Sequence, residues 1–349
     1  MRGLLIIIYT IISWYFTGLM VISFHMLGCL GLRSTTDDLN KFIMGTSMSN
    51  VSFLIHHILR VPMYQYGDEI DYEGTNVFIM NHRSSLDFLF FISFICQTND
   101  PSKISIALKS ILKYVPGMGW VVYINDFPLL NRSLKDDGKY LETMGDDGES
   151  KTILIFPEGT RFSPPKLKKS NEYSLKNNYP QFNNVLLPKT KGTHRVMCGL
   201  LNNNNIKGFY DLTINLKGIE KGKAHRTSDL IFKDDIKSVH IHVKKINICS
   251  IPRNEDAFRG WLHDLYKSKD LLLELNLENW PKVFTKRKIR NIKNSIWFNT
   301  YLLFSIASLI LLFKCKSYRK FNIIILIIGT LLVFNNSKYK SKMRHVKQF

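Results

Sequence analysis

The stretch Val77-Phe78-Ile79-Met80-Asn81-His82-Arg83-Ser84-Ser85-Leu86-Asp87-Phe88-Leu89-Phe90 changes period halfway along. Val77 to Met80 is a short apolar run of strand character, and Ser85 to Cys96 is an apolar helix directly after it. Ser84 or Ser85 is a suitable N-cap, and Asp87 falls in the first turn, where a carboxylate favours the helix N-terminus. A strand passing straight into a helix is the unit from which α/β sheets are built.

The same alternation extends on both sides. Ile104 to Leu108, Ile153 to Phe156, Val185 to Leu187, Tyr210 to Leu216 and Val239 to Ile248 read as strands. Glu255 to Leu275 has the length and spacing of an amphipathic helix, with Trp261, Leu265, Leu271, Leu272 and Leu275 among its apolar positions. The expectation is an α/β domain over residues 60–280 with a mixed, largely parallel sheet flanked by helices. Lys168 to Asn178 and Asn202 to Asn205 are compositionally biased and carry no chemistry.

His82 and Asp87 diverge by about 140° if both stand on one straight helix. They meet only if His82 precedes the helix at the strand end, where the pattern breaks. A carboxylate accepting from one ring nitrogen sets the tautomer and leaves the other free to take a proton. Taken alone, the spacing equally suits a capping aspartate beside a surface histidine.

Phe156-Pro157-Glu158-Gly159-Thr160-Arg161 follows another strand, so its polar groups leave a strand end, where open α/β sheets bind ligands. Arg161 can hold a phosphate bidentately, and Glu158 can accept from a substrate hydroxyl or hold an arginine. Arg132, and Lys189 with Lys191, repeat the order of apolar run then cation; together with Arg161 they could form a phosphate pocket. No Walker loop, G-x-S-x-G elbow or dinucleotide fingerprint occurs, which argues against nucleotide hydrolysis, serine hydrolysis and redox chemistry.

The net charge of +20 is uneven: residues 281–349 hold 15 Lys or Arg and no Asp or Glu. Apolar runs interrupt these cations, which fits anionic lipid headgroups better than nucleic acid. Residues 1–33 read as a membrane anchor, since Leu4 to Leu32 exceeds the roughly 20 residues that cross a bilayer. Residues 296–313 and 321–334 read as one or two further membrane segments, a C-terminal hydrophobic hairpin. Five scattered cysteines imply unpaired thiols, and of ten histidines only His240 and His242 share a strand face, as a partly packed or solvated pair.

These motifs resemble those of the glycerolipid acyltransferases, the family of 1-acylglycerol-3-phosphate and lysophospholipid acyltransferases. The family's N-H-x-x-x-x-D block matches Asn81 to Asp87 in full, and its F-P-E-G-T-R block matches Phe156 to Arg161 in full. Weaker blocks look like Leu129 to Arg132, with Asp126 where the family usually has glycine, and Val185 to Pro188. Leu112 to Trp120, Pro188 to Gly192 and Ile241 to Val243 are similar to the branch holding plant-type lysophosphatidate and lysocardiolipin acyltransferases.

The resemblance implies transfer of a fatty acyl group from acyl-CoA to the free hydroxyl of a lysophospholipid, foremost 1-acyl-sn-glycerol-3-phosphate giving phosphatidic acid. A lysocardiolipin or lysophosphatidylinositol acceptor is the alternative within that chemistry, and an inactive membrane lipid-binding protein the alternative outside it. His82 would be the base and Asp87 its orienter. Arg132, Glu158, Gly159, Thr160 and Arg161 would position the acceptor and its phosphate. No cofactor is expected, acyl-CoA being a co-substrate, and the partners are acyl-CoA, lysophospholipid and membrane lipids, not nucleic acid. An integral protein of the endoplasmic reticulum is expected, with a mitochondrial membrane as the alternative.

Overall fold

The computed structural model describes residues 2–27, 33–96, 101–115, 117–125, 127–130, 150–202, 206–218, 236–289, 303, 306–308, 310–324, 327 and 331. The chain divides into two compact units, one of Met1–Asn50, Leu108–Asn131 and Asn294–Phe349, the other of Val51–Ala107 and Arg132–Lys293. Leu108–Asn131 belongs to the first unit, within the stretch 60–280 read as the α/β domain.

In the first unit, helix α1 (Arg2–Leu27) contains one span, Thr10–Leu27, long and apolar enough to cross a membrane. It packs on α4 (Met118–Ile124), with Phe16, Leu19, Ile22 and Trp120 forming a buried cluster that Leu312 joins. Glycines permit this approach. A Cβ on Gly117, itself at φ +82, would lie 2.6 Å from the Tyr15 Cα, and one on Gly18 would lie 2.4 Å from the Gly117 Cα. The short parallel strands β4 (Leu108–Lys109) and β5 (Leu129–Leu130) complete the described part of this unit's strands. The expected C-terminal hairpin lies largely outside the described residues; those described between 303 and 331 are helical except Cys315.

The second unit is built on a seven-stranded sheet in the order β3-β6-β2-β7-β8-β1-β9. These are β1 (Met63–Gly67), β2 (Thr75–Met80), β3 (Ile104–Ile106), β6 (Thr152–Ile155), β7 (Ile206–Lys217), β8 (Ser238–Ile246) and β9 (Lys286–Lys288). The pairs β3/β6, β6/β2, β2/β7 and β8/β1 are parallel, while β7/β8 and β1/β9 are antiparallel. The sheet is thus mixed and largely parallel. All six residues of β2 are buried, which explains the apolar run Val77 to Met80: a strand covered on both faces has no solvent side to carry alternating polar residues. β9 was expected to belong to the basic tail. Its Lys286-Arg287-Lys288 gives no strand signal, yet it pairs with Tyr64 to Tyr66, and its exposed cations suit an edge strand that must not recruit another.

Helix α3 (Asp87–Ile95) follows β2 as read, but its N-cap is Leu86, not a serine; Ser84 Oγ instead accepts the Leu86 N–H at 3.2 Å. Two further helices, α5 (Pro164–Lys176) and α6 (Thr190–Asn202), follow the second motif. Helix α7 (Glu255–Glu274) begins at Asn254, whose side chain accepts from the Asp256 and Ala257 N–H groups; it packs on α6 and against β7. Its buried stripe differs from the expected one. Phe258, Leu262, Leu265, Tyr266, Lys269, Asp270 and Leu273 face inward, while Leu271 and Leu275 are 55% and 44% exposed. A short helix α8 (Trp280–Val283) follows.

The expected strand Val185 to Leu187 is not a strand. Its backbone donors are spoken for by side chains, Leu186 N–H by Glu158 and Leu187 N–H by Ser170, so no ladder forms. His240 is buried, bonded to Tyr66 on Nδ1 and Ser238 on Nε2, and His242 packs on Trp280 and Phe284, so the pair is core rather than a metal site. Burial pushes both imidazoles down to about 4. The described cysteines, Cys96, Cys198, Cys249 and Cys315, are free.

Candidate active site

Strands β2 and β6 are parallel neighbours with Ile79 opposite Ile155, so His82 and Glu158, each three residues further on, emerge at the same sheet edge. Parallel pairing places both motifs at the carboxyl ends of their strands, the ligand-binding edge of such sheets. Asn81 makes the exit orderly. Its amide accepts from the Ile214 N–H at 2.8 Å and donates to the Ile214 carbonyl at 3.1 Å, continuing the β2/β7 ladder by side chain after the β2 backbone has turned away.

The turn then brings His82 Nδ1 to 2.9 Å from Asp87 Oδ2. Asp87 is fully buried, and the same Oδ2 also accepts the backbone N–H groups of Arg83 at 2.6 Å and Ser84 at 2.8 Å. The carboxylate therefore shapes the turn that presents the imidazole. With Nδ1 engaged as donor, Nε2 is the ring nitrogen left to receive a proton. The Phe156 ring lies 4.4 Å from the His82 ring, centroid to centroid, and limits its swing.

The second motif grips the first. Glu158 Oε1 accepts the His82 N–H at 2.9 Å, and the Phe162 N–H donates to the His82 carbonyl at 2.7 Å. Arg161 Nη1 donates to Ser85 Oγ. Gly159 turns at φ +66, and its N–H closes the turn on the Phe156 carbonyl at 3.0 Å. Lys166, on α5, donates to Thr160 Oγ1 at 2.6 Å and to the Arg161 carbonyl at 3.1 Å, holding the end of the motif.

Glu158 differs from expectation. It is 2% exposed, and its two oxygens accept the His82 and Leu186 N–H groups, so this carboxylate holds backbone rather than meeting a substrate hydroxyl. Burial pushes it up to about 8, against the downward pull of those two N–H donors and of Arg83. Arg83 stacks over Phe162 at 5.1 Å and donates to the Asn184 carbonyl at 3.0 Å. Asn184 and Asn183 in turn donate their N–H groups to Asp270.

Arg161 thus reaches Ser85 in the turn between His82 and Asp87, while Thr160 is held by Lys166 and Gly159 by the Phe156 carbonyl in the same motif. Lys189 joins them, donating its N–H to the Pro157 carbonyl at 2.7 Å just before α6 begins, with an exposed side chain. Lys191 is exposed in the first turn of α6. Arg132 lies outside the described residues. Sequence reading missed Lys166, Asp270 and Lys269, all on helices whose charges look like solvated ones. The arrangement can accept a proton from a hydroxyl delivered to His82 Nε2, with a cationic rim of Arg161 and Lys189 for an acidic group on the same molecule.

A model of the Acyltransferase family matches residues 62–215, and one of the Acyltransferase C-terminus matches 230–305. Probable 1-acyl-sn-glycerol-3-phosphate acyltransferase 5 of Arabidopsis thaliana is 29% identical over 237 residues, covering 67% of this chain and 62% of that protein. Lysocardiolipin acyltransferase 1 of Mus musculus is 31% identical over 222 residues, covering 62% of this chain and 58% of that protein. Lysophosphatidylinositol acyltransferase 10 of Caenorhabditis elegans is 30% identical over 249 residues, covering 69% and 62%. The chain thus spans about three fifths of the length of these relatives. The crystal structure of the 1-acyl-sn-glycerophosphate acyltransferase PlsC from Thermotoga maritima overlaps with a TM-score of 0.43 at 15% identity, covering 79% of this chain and 100% of that one. Two full motif blocks meeting at one sheet edge, and family matches over both halves of the second unit, make this chain a member of the glycerolipid acyltransferase family.

Proposed function

We propose that this protein transfers a fatty acyl group from acyl-CoA to the free hydroxyl of a lysophospholipid, with 1-acyl-sn-glycerol-3-phosphate as the acceptor and phosphatidic acid as the product. The observation that carries the reading is the oriented His82–Asp87 pair beside Arg161. In the proposed reaction the acceptor hydroxyl attacks the thioester carbonyl while its proton passes to His82 Nε2. Asp87 keeps Nδ1 as a donor and steadies the imidazolium that forms. The carbon–sulfur bond then breaks and the thiolate leaves, taking up the proton that His82 carries. Thiolate is a good leaving group, so one base and stabilisation of the oxyanion suffice for this chemistry.

Arg161 and Lys189 are the residues proposed to hold the acceptor phosphate, with Lys191 as a further cation of that rim and Arg132 proposed as an acceptor-binding residue from its motif alone. Membrane attachment through α1, in the endoplasmic reticulum, belongs to the same proposal, because both product and acceptor keep their tails in a bilayer. The similarity to lysocardiolipin and lysophosphatidylinositol acyltransferases favours a second reading, in which the acceptor bears a larger phosphodiester headgroup.

The purified protein with labelled acyl-CoA and a panel of lysolipids tests both. Fastest turnover on 1-acyl-sn-glycerol-3-phosphate is the expected result. Preference for lysocardiolipin or lysophosphatidylinositol supports the second reading, and absence of transfer to every acceptor overturns both.

A further inference from the structure

Helix α7 buries two charged residues along with its apolar stripe of Phe258, Leu262, Leu265, Tyr266 and Leu273. Lys269 is 1% exposed and Asp270 7%, while Leu271 on the same helix and Leu275 at its C-cap face solvent. A buried ion pair seldom outperforms packed apolar side chains of the same volume, so stability does not account for this choice. What Lys269 touches does. Its Nζ lies 2.5 Å from Asp211 Oδ1, donates to the Leu212 carbonyl, and reaches the Ile79 carbonyl at 3.5 Å. Ile79 and Asp211 are partners across β2 and β7, as are Met80 and Leu212.

The ammonium thus clasps the last turn of the β2/β7 ladder three residues before His82. Asn81 clasps the next step from β7, and Glu158 takes His82 itself. The neighbouring Asp270 fixes Asn183 and Asn184, hence Arg83 and the segment whose Leu186 N–H meets Glu158.

We propose that Lys269 is a positioning residue for the proton-transfer pair: its clasp on the Ile79 and Leu212 carbonyls sets where the chain leaves β2 and so where the His82 ring stands. This rests on the acyltransferase reading. The C-terminal family region then serves the reaction through a buried cation that never meets substrate. A displacement of about 1 Å at a reacting group is enough to slow turnover strongly.

The test replaces the ion pair by apolar side chains, Lys269→Met with Asp211→Leu, in the full chain, alongside Asp211→Asn, which keeps the clasp. The double variant is expected to unfold at or above the wild-type midpoint, yet to lose about tenfold or more in kcat with KM within about twofold. Asp211→Asn is expected to unfold earlier but keep kcat within about threefold. A double variant with wild-type kcat overturns the proposal, as does a folded Asp211→Asn that loses tenfold, since the ion pair rather than the clasp would then matter. If the double variant does not fold, Asp211→Asn decides. A wild-type protein inert on every lysolipid overturns the acyltransferase reading instead. The rate at which diethyl pyrocarbonate modifies His82, read by mass spectrometry, then decides for Lys269: a changed rate in the double variant supports it, and an unchanged rate overturns it.

Discussion

Glu158 accepts the backbone N–H of His82 at 2.9 Å from 76 residues away, so the two motif blocks of this chain are one structural unit rather than two sides of a cleft. The carboxylate also takes the Leu186 N–H, and both donors are backbone groups that cannot find another partner in that interior.

Glu158→Gln is expected to destabilise the fold by about 1–3 kcal/mol, because an amide nitrogen would face one of the two N–H donors and leave it unpaired. Thermal unfolding measures it. The pH dependence carries a sign. In the folded protein Glu158 keeps its proton up to about pH 8, whereas in the unfolded chain it loses it near 4.5. The folded state therefore binds more protons across that window, and its contribution to stability falls as pH rises from 4.5 to 8. Glu158→Gln should flatten this part of the profile; an unchanged slope would show that Glu158 ionises at ordinary values.

His82→Ala should lower turnover by about 10²–10⁴-fold, the worth of a positioned general base, with little change in the unfolding midpoint. Asp87→Ala should lower both the turnover and the unfolding midpoint. It removes the acceptor of the His82, Arg83 and Ser84 donors, so the turn itself loses its centre. Asp87→Asn keeps an acceptor oxygen and separates the two losses. A His82→Ala protein with near-normal turnover would remove His82 as the base.

The strand-to-helix passage over 77–95, the sheet's mixed character and the approach of the Arg161 block to the His82–Asp87 turn were legible, because hydrophobic period marks the elements and strand-end logic puts both motifs at one edge of the sheet. Three features were not. The segment 185–187 looks like a strand, since the apolar run Val185-Leu186-Leu187 does not reveal that Glu158 and Ser170 will take its donors. The α7 stripe misleads because Leu271 and Leu275 look buried and Lys269 and Asp270 look solvated, a reversal visible only once Asp211 and Asn184 are opposite them. β9 is all cation, and only its place beside β1 makes it a strand.

Gly117→Ala is expected to loosen α1 from α4. The added methyl would fall on the Tyr15 backbone, where nothing can rotate aside, and the residue would have to hold φ +82. A lower unfolding midpoint of the purified full chain in detergent, with Trp120 fluorescence shifted toward that of a solvated indole, is the expected result. Gly260→Ala, on the open side of α7 with nothing within 4 Å, is the matched control and should leave the midpoint unchanged or raise it slightly.

Arg161→Ala separates the proposed phosphate contact from the base. Arg161 reaches Ser85 across the mouth of the His82 turn, outside the ring of backbone bonds that hold that turn, so its loss should leave the fold and the His82–Asp87 pair in place. The expected effect is a fall of about tenfold to a hundredfold in kcat/KM for 1-acyl-sn-glycerol-3-phosphate, the value of one charge-assisted contact, carried mainly by KM. An acceptor with the same chain and hydroxyl but no phosphate has nothing for the guanidinium to hold, and its poorer kcat/KM should be nearly the same in variant and wild type. Ser85→Ala, which only frees the guanidinium, should cost little with either acceptor. Equal losses for both acceptors in Arg161→Ala would mean that the arginine supports the turn rather than the phosphate, and would leave Lys189 as the cation to test.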